Sequence, residues 1–345
     1  MNPLDLSPLG RTGVQVTRLG FGTGPLGGAR AVVSDDDAER TVATAVESGI
    51  NYFDTAPWYG VGQAEMHLGR GLRGRRTADH VVGTKVGRVL MPTDSAQPPY
   101  RKRWPGGAPN DVRFDYTRDG ILRSLEDSLR RLDLDGVDAL AIHDLDYKYH
   151  RDAAGIDARF RELESGGGYA VLSEMKSYGV IRAIGAGINM TGMIPKFVER
   201  FDLDFFVVAM PYTLMDQPAL DCELPECEQR GISVVVGAPF CSGLLAPGAD
   251  RSAWYGYSPP SGDVVKRALR IAAVCSRHGV SLAAAALQFP LGHPAVAAVI
   301  PGPESPEHVA SNLELMREPI PSDLWEELKA DGLLRRDAPV PGGPS

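Results

Sequence analysis

Four residue types that together move a proton onto or off a carbonyl oxygen stand at the ends of successive apolar runs. Asp54 closes the run INYF, Lys85 closes VVGT, and His143 closes ALAI. Tyr59 follows Asp54 by five residues, beyond Pro57 and next to Gly60, where a strand should give way to a loop. A free phenol titrates at about 10. An adjacent lysine ammonium favours the phenolate, and a buried aspartate orients that lysine and keeps it charged. A histidine can position a carbonyl or relay a proton. A tyrosine so placed exchanges a proton with an alkoxide or carbonyl oxygen near neutral pH. That chemistry serves carbonyl reduction or alcohol oxidation by hydride transfer. Hydrolysis would need a nucleophile or a metal, and the same strand ends show no triad or ligand cluster. Taken singly, the residues read as a turn-capping Asp, a rim aromatic, a solvated lysine and a structural histidine. Their joint occurrence makes the pattern specific.

These side chains converge only if parallel strands deliver them to one rim. Eight β-rich runs are spaced along the chain, at 16–22, 50–53, 80–85, 137–143, 180–187, 203–210, 232–238 and 295–301. Most are continuously apolar, as strands buried on both faces should be. Helical patterns lie between them, at 35–48, 63–73, 117–132, 169–178, 191–200, 217–230, 262–278 and 305–317. The first has a capping-box-like start at Ser34 and Asp37 and ends at Gly49. In the third, Ile121, Leu122, Leu125, Leu129 and Leu132 fall on one face. Eight strand–helix units predict an α/β chain folded as a closed (β/α)8 TIM barrel. It is expected to be one domain over residues 1–345, with its core at about 16–318. Such barrels carry their chemistry at the C-terminal strand ends. Residues 4–15 read as an N-terminal hairpin plugging the barrel bottom. Residues 321–335 read as a C-terminal helical tail, and the Pro/Gly-rich 336–345 as a mobile end. Residues 86–116 form a long Pro-, Gly- and Arg-rich connection on the active face; so long a loop is usually functional or disordered.

Composition narrows the function classes. The 345 residues are 43% hydrophobic and 23% charged, an ordinary globular balance, with net charge −8. A mildly acidic surface argues against nucleic acid or an anionic membrane as partner. No apolar run reaches the length of a membrane span, and MNPLDLSPLGRTG has no secretory pattern. Four cysteines make no disulfide framework. Cys222 and Cys227 lack the second pair or histidine that zinc would need, so no metal is expected. A cytoplasmic location follows. Gly22, Gly24 and Gly27 match a dinucleotide-loop spacing, but the next helix waits until about Ser34. The helix N-terminus is therefore not at the motif, and the reading is a flexible loop rather than a Rossmann fold.

Over nearly its whole length the chain resembles the aldo-keto reductase superfamily. The matching stretches are LGRTGVQVTRLGFGTGPLGG, GINYFDTAPWYG, VVGTKVG, SLRRLDLDGVDALAIHD, VIRAIGAGIN and VIPGPESPEHVASNL. The superfamily's Asp–Tyr–Lys–His tetrad carries over to Asp54, Tyr59, Lys85 and His143. Other stretches, among them RFDYTRDGILRSLEDSLRRL and SGLLAPG, resemble the branch of L-fucose, D-threo-aldose and pyridoxal dehydrogenases. The resemblance implies a nicotinamide cofactor held by rim loops. Gly22 and Thr23 stand after the first strand and Asn189, for the carboxamide, after the fifth. Ser242, Gly243 and Leu244 stand at the pyrophosphate, and Gly302, Ser305, His308 and Asn312 at the adenosine. Ser305 before Pro306 independently reads as a helix cap whose amides attract an anion. Ala209 replaces a common carboxamide-binding Gln, and Gly237 replaces a ring-stacking aromatic; Phe240 is expected to supply ring contact instead. The basic pair often used for a 2′-phosphate is missing, with Gly302 and His308 there beside Glu304, so NAD is expected over NADP.

The resemblance implies an NAD(P)-dependent oxidoreductase that takes an aldose or similar hemiacetal to its lactone. Two alternatives stand beside it: an NAD(P)H-dependent aldehyde or ketone reductase, and a non-catalytic cofactor-binding subunit. Substrate contacts are sought at Trp58, at Trp104 and Arg101 to Arg103 in the long connection, and at 251–260. The sequence assigns no oligomeric state.

Overall fold

The computed structural model of the chain describes residues 1–29, 32–75, 79–94, 100–246, 254–256 and 258–343. Two short strands, β1 (Leu6–Pro8) and β2 (Gln15–Thr17), pair antiparallel as the expected hairpin. Leu9, Val14 and Val16 are buried in a cluster with Val81, Ala139, Ala183 and Phe205, which open four of the barrel strands. The hairpin therefore plugs the bottom. The run at 16–22 serves two elements: its start belongs to β2, and only its end forms the first barrel strand, β3 (Phe21–Gly22).

The strands that follow are β4 (Tyr52–Asp54), β5 (Val81–Val86), β6 (Arg88–Pro92), β7 (Asn110–Phe114), β8 (Ala139–His143), β9 (Ala183–Ile188), β10 (Phe205–Val208), β11 (Ser233–Val236) and β12 (Val296–Val299). Eight of them lie parallel in the order β3, β4, β5, β8, β9, β10, β11, β12. The ends of this sheet meet: the Gly20 amide donates to the Val299 carbonyl and the Val299 amide to that of Arg18, both at 2.9 Å. The (β/α)8 barrel thus closes.

The helices are α1 (Asp35–Glu47), α2 (Gln63–Leu72), α3 (Arg118–Leu132), α4 (Tyr147–His150), α5 (Ala153–Glu164), α6 (Gly168–Ser177), α7 (Ile194–Val198), α8 (Glu223–Arg230), α9 (Gly262–Arg277), α10 (Leu282–Gln288), α11 (Pro306–Arg317) and α12 (Ser322–Ala330). Ser34, Thr117 and Ser305 each accept a backbone amide as N-caps. The helix expected over 217–230 begins as a 3-10 turn at Pro218–Leu220, because Cys222 leaves helical angles before α8. That expected over 191–200 shrinks to α7, with Gly192 in the left-handed region ahead of it.

Other features were not read from the sequence. The long connection 86–116 is not irregular throughout, since β6 and β7 pair antiparallel from Arg88↔Phe114 to Pro92↔Asn110. Helix α5 was not expected, although Ile156, Phe160 and Leu163 are buried on one face and Asp152 caps it. Each such burial contributes about 1.5–3 kcal/mol. The Pro/Gly-rich end begins packed on the barrel, while Gly342 and Gly343 are exposed. Ala338 is buried, and Gly292 meets the Val340 backbone. Residues 344–345 lie outside the described residues.

Candidate active site

The register of the parallel ladder sets the first contacts. Asp54 ends β4 opposite Gly83, and Lys85 lies two residues further along β5. The Lys85 Nζ donates to Asp54 Oδ1 at 2.5 Å and to the Thr55 carbonyl at 2.9 Å. Both side chains are almost wholly buried. Burial pushes the Asp54 carboxyl up from its ordinary value, and the Lys85 ammonium opposes the rise. Gly187 of β9 lies beside them: a Cβ there would be in ordinary contact with Lys85 Cε, at 3.4 Å. A buried pair of this kind adds little to stability. Its use is to hold an ammonium in a dry place.

Tyr59 opens the 3-10 turn after β4. The Lys85 Nζ lies 4.9 Å from the centroid of its ring. The turn is fixed by backbone packing, since a Cβ on Gly60 would meet Gly27 O at 2.5 Å and Gly27 Cα at 2.6 Å. The Gly22–Gly27 motif is therefore explained locally: Gly27 lets this loop press against the segment carrying Tyr59. His143 ends β8 with its ring centroid 6.0 Å from that of Tyr59, at 87°. Burial holds the imidazole well below its ordinary pKa, so it is neutral at physiological pH. Its Nε2 lies 3.3 Å from Asp144 Oδ2, and its buried Nδ1 has no partner among the described residues.

Sequence reasoning missed the network behind His143. Arg88 of β6 donates to Asp144 Oδ2 at 2.5 Å. Its guanidinium carbon lies 4.3–4.5 Å from the rings of Tyr149, Trp58 and Phe114. Asp144 adopts φ 55°, in the left-handed region, and also accepts from Asn189 Nδ2 at 2.7 Å. Burial would raise the Asp144 carboxyl, but His143 and Arg88 hold it below its ordinary value. The only signal in the sequence was Asp144 standing directly after a strand-ending histidine.

These residues border a cavity of about 430 Å³. Asp54, Tyr59, Lys85, His143, Trp58 and Trp104 line it, and so do Gly302, His308 and Asn312. Gly22, Asn189, Phe240, Ser242 and Gly243 line it as well. Three expected residues do not line it. Thr23 is buried with its hydroxyl on Thr55, Leu244 packs in the core, and Ser305 caps α11. Of the stretch 251–260, residues 251–253 and 257 lie outside the described residues, while Trp254 lines the cavity. The residues present fit a dinucleotide. Small side chains at Gly187, Ala209 and Gly237 leave a slot, the orphan His143 Nδ1 offers a polar contact, and the amides that open α11 favour an anion. Among the described residues no group of three or more His, Cys, Asp or Glu is placed for a metal. Likewise, no described helix is long and apolar enough to cross a membrane.

The closed barrel thus brings a phenol, an ammonium and an imidazole together on one rim. Residues 18–331 match the Aldo/keto reductase family, and the chain belongs to it. It is therefore an NAD(P)-dependent oxidoreductase. It is 36% identical over 334 residues to the pyridoxal 4-dehydrogenase of Microbacterium luteolum, covering 94% of this chain and 97% of that one. To the D-threo-aldose 1-dehydrogenase of a Pseudomonas species it is 35% identical, covering 93% and 96%. The solved holo form of an aldo-keto reductase from Bacillus halodurans superposes with a TM-score of 0.73 at 25% identity, covering 95% and 96%.

Proposed function

We propose that the chain oxidises an aldose or similar cyclic hemiacetal to its lactone, with Tyr59 as the general base and Asp54, Lys85 and His143 completing the site. The buried Lys85 ammonium 4.9 Å from the Tyr59 ring carries the reading, since a cation there favours the phenolate. A bound nicotinamide cofactor would supply the acceptor for the hydride of the anomeric carbon. Tyr59 Oη takes the proton of the anomeric hydroxyl. Neutral His143 steadies the same oxygen as it becomes a carbonyl, and Asp54 holds Lys85 in place. A free aldehyde would need a nucleophile to form an oxidisable adduct. Cys241 does not supply one: burial pushes its thiol up to about 12, and its sulfur donates to Thr213 Oγ1 at 3.3 Å. Two of the relatives above are named as dehydrogenases of pyridoxal and of an aldose, and both of those substrates cyclise.

At the adenosine end we propose a preference for NAD. Glu304 and His308 border the cavity there, and the His308 Nδ1 accepts the Glu304 amide, leaving one ring nitrogen for other contacts. Glu304 repels a 2′-phosphate, and the nearby Arg40 is engaged by Asp37. Arg251, a further basic candidate, lies outside the described residues. The expected margin is about 1–3 kcal/mol in kcat/KM. An NADP preference would refute this assignment. A cytosolic location is also proposed, supported by four cysteines that are all free.

The test is a panel of cyclising aldoses, pyridoxal and non-cyclising aldehydes, followed by nicotinamide absorbance with both cofactors. Oxidation of at least one hemiacetal is expected, with none of the non-cyclising aldehydes. Fast carbonyl reduction with no hemiacetal oxidised would overturn the reading.

A further inference from the structure

The network behind His143 continues into a second cavity residue. His143 stands opposite Gly187 in the β8–β9 ladder, so Asn189 follows just past the level of the imidazole. Both N–H bonds of the Asn189 side-chain amide are taken. Its Nδ2 donates to Asp144 Oδ1 at 2.7 Å and to Asp146 Oδ2 at 3.2 Å. Lys148 Nζ donates to the other end, Oδ1, at 3.4 Å. Carboxylates only accept and an ammonium only donates, so the amide can sit only one way round. The Asn189 backbone amide is fixed as well, on Asp146 Oδ2 at 2.8 Å. Asn189 lines the cavity. What its side chain has left to offer there is the second lone pair of Oδ1.

Asp144 is held from the opposite side by Arg88, which is buried and does not itself line the cavity. The guanidinium packs on three rings, and its planar fork meets the carboxylate at 2.5 Å. Despite burial, neighbouring positive charge keeps the Asp144 carboxyl below its ordinary value, so it stays an acceptor. Its backbone sits at φ 55° with its amide on the Gly187 carbonyl at 2.9 Å. A side-chain-bearing residue holds that conformation only where its surroundings over-determine it. Here Arg88 and Asn189 grip the carboxylate from two directions.

We propose that Arg88 and Asp144 are positioning residues that act through Asn189, locking its amide oxygen as the acceptor for the carboxamide N–H of a bound nicotinamide. This rests on the cofactor lying beside Lys85 and His143, and it adds a selectivity that those residues do not give. A carboxamide presents N–H groups to a fixed oxygen. A cofactor with no N–H at that position forfeits the bond, and the amide cannot turn round to offer a donor instead.

The test compares equilibrium binding of two reduced cofactors by tryptophan fluorescence, with no substrate present, so hemiacetal oxidation plays no part in the outcome. One is the natural cofactor, in the NAD or NADP series, whichever binds. The other is its 3-acetylpyridine analogue, in which a methyl ketone replaces the carboxamide and no N–H remains. The parent enzyme should favour the natural cofactor by about fivefold or more, and Asn189→Ala should bring the ratio near one. Asp144→Asn keeps the shape and tolerates a left-handed backbone, but lets the Asn189 amide turn; the ratio should fall about threefold or more. The double variant Arg88→Gln, Asp144→Asn strands no buried charge and should show the same fall, with the melting midpoint reporting its folding. A parent enzyme that binds both cofactors alike overturns the proposal together with the Asn189 contact. Asp144→Asn that weakens both cofactors equally, or a double variant with the parent ratio, overturns the proposal and leaves that contact standing. So does Asp144→Asn that still lowers the ratio in an Asn189→Ala background, since the residue would then act by another route.

Discussion

Replacing Lys85 by Met removes a buried charge while keeping most of the side-chain volume. The ammonium lies 4.9 Å from the Tyr59 ring centroid. With an effective dielectric of about 20, a unit charge at that distance stabilises the phenolate by about 3 kcal/mol. At about 1.4 kcal/mol per tenfold, kcat should fall by about 10²–10³. The assay is steady-state oxidation of a cyclising aldose across a pH series, with the melting midpoint measured alongside. Activity of the variant should recover partly as pH rises, because hydroxide then does what the ammonium did. A purely structural loss would show no such recovery. Lys85→Met also strands Asp54, which burial already inclines to hold its proton. The double variant Asp54→Asn, Lys85→Met leaves neither member of this pair charged and should show the same loss of kcat. A single variant within about threefold of the parent enzyme, or a double variant restored to full activity, would refute the electrostatic argument.

Tyr59→Phe keeps the ring but removes the exchangeable proton. Turnover should drop by about 10²–10⁴-fold, with NADH affinity by fluorescence nearly unchanged; near-normal turnover would show that the base is elsewhere. Gly60→Ala forces a Cβ to 2.5 Å from Gly27 O at φ +64° and should displace Tyr59. A displacement of about 1 Å costs about 10²-fold in kcat, and an unaltered kcat would contradict the packing argument. Burial holds His143 well below its ordinary value and His150 down to about 4. The unfolded chain therefore binds protons at these histidines below about pH 6.5 while the folded chain does not. Stability should be full above that pH and fall as pH drops toward 4, with His150 alone contributing about 1–2 kcal/mol at pH 5 and His143 acting in the same direction. Burial raises Asp54 and Asp146, whose proton uptake in the folded chain works in the opposite direction as pH falls through their raised values. Urea midpoints at about pH 7.5 and about pH 5 check the sign, and an equal or higher midpoint in acid would overturn it.

What was legible in the sequence follows from what each interaction needs. Asp54, Lys85 and His143 were readable because a parallel barrel sends every strand end to one rim. An ionisable residue after an apolar run then has a fixed destination. Tyr59 was readable through its short link to Asp54. The Arg88–Asp144 pair was not, because its partners lie 56 residues apart and meet only when β6 folds back over the rim. β6 and β7 were hidden as two five-residue strands in a Pro/Gly-rich stretch. Helix α10 is buried on every side, with Ala283 to Gln288 all inside, and so has no periodicity to read. Helix α5 did carry a legible pattern in Ile156, Phe160 and Leu163. Thr23 and Leu244 stand next to cavity residues in sequence, but neither lines the cavity. A motif does not say which of its members face the site.

The central claim is tested most directly by the first product. A cyclising substrate is incubated with the enzyme and oxidised cofactor, quenched within the first turnovers, and analysed by mass spectrometry. Proton transfer to Tyr59 from an anomeric hydroxyl leaves a ring that has lost two hydrogens. The account therefore expects the lactone to form first and the open carboxylate to follow by hydrolysis. A carboxylate formed with no preceding lactone would contradict it.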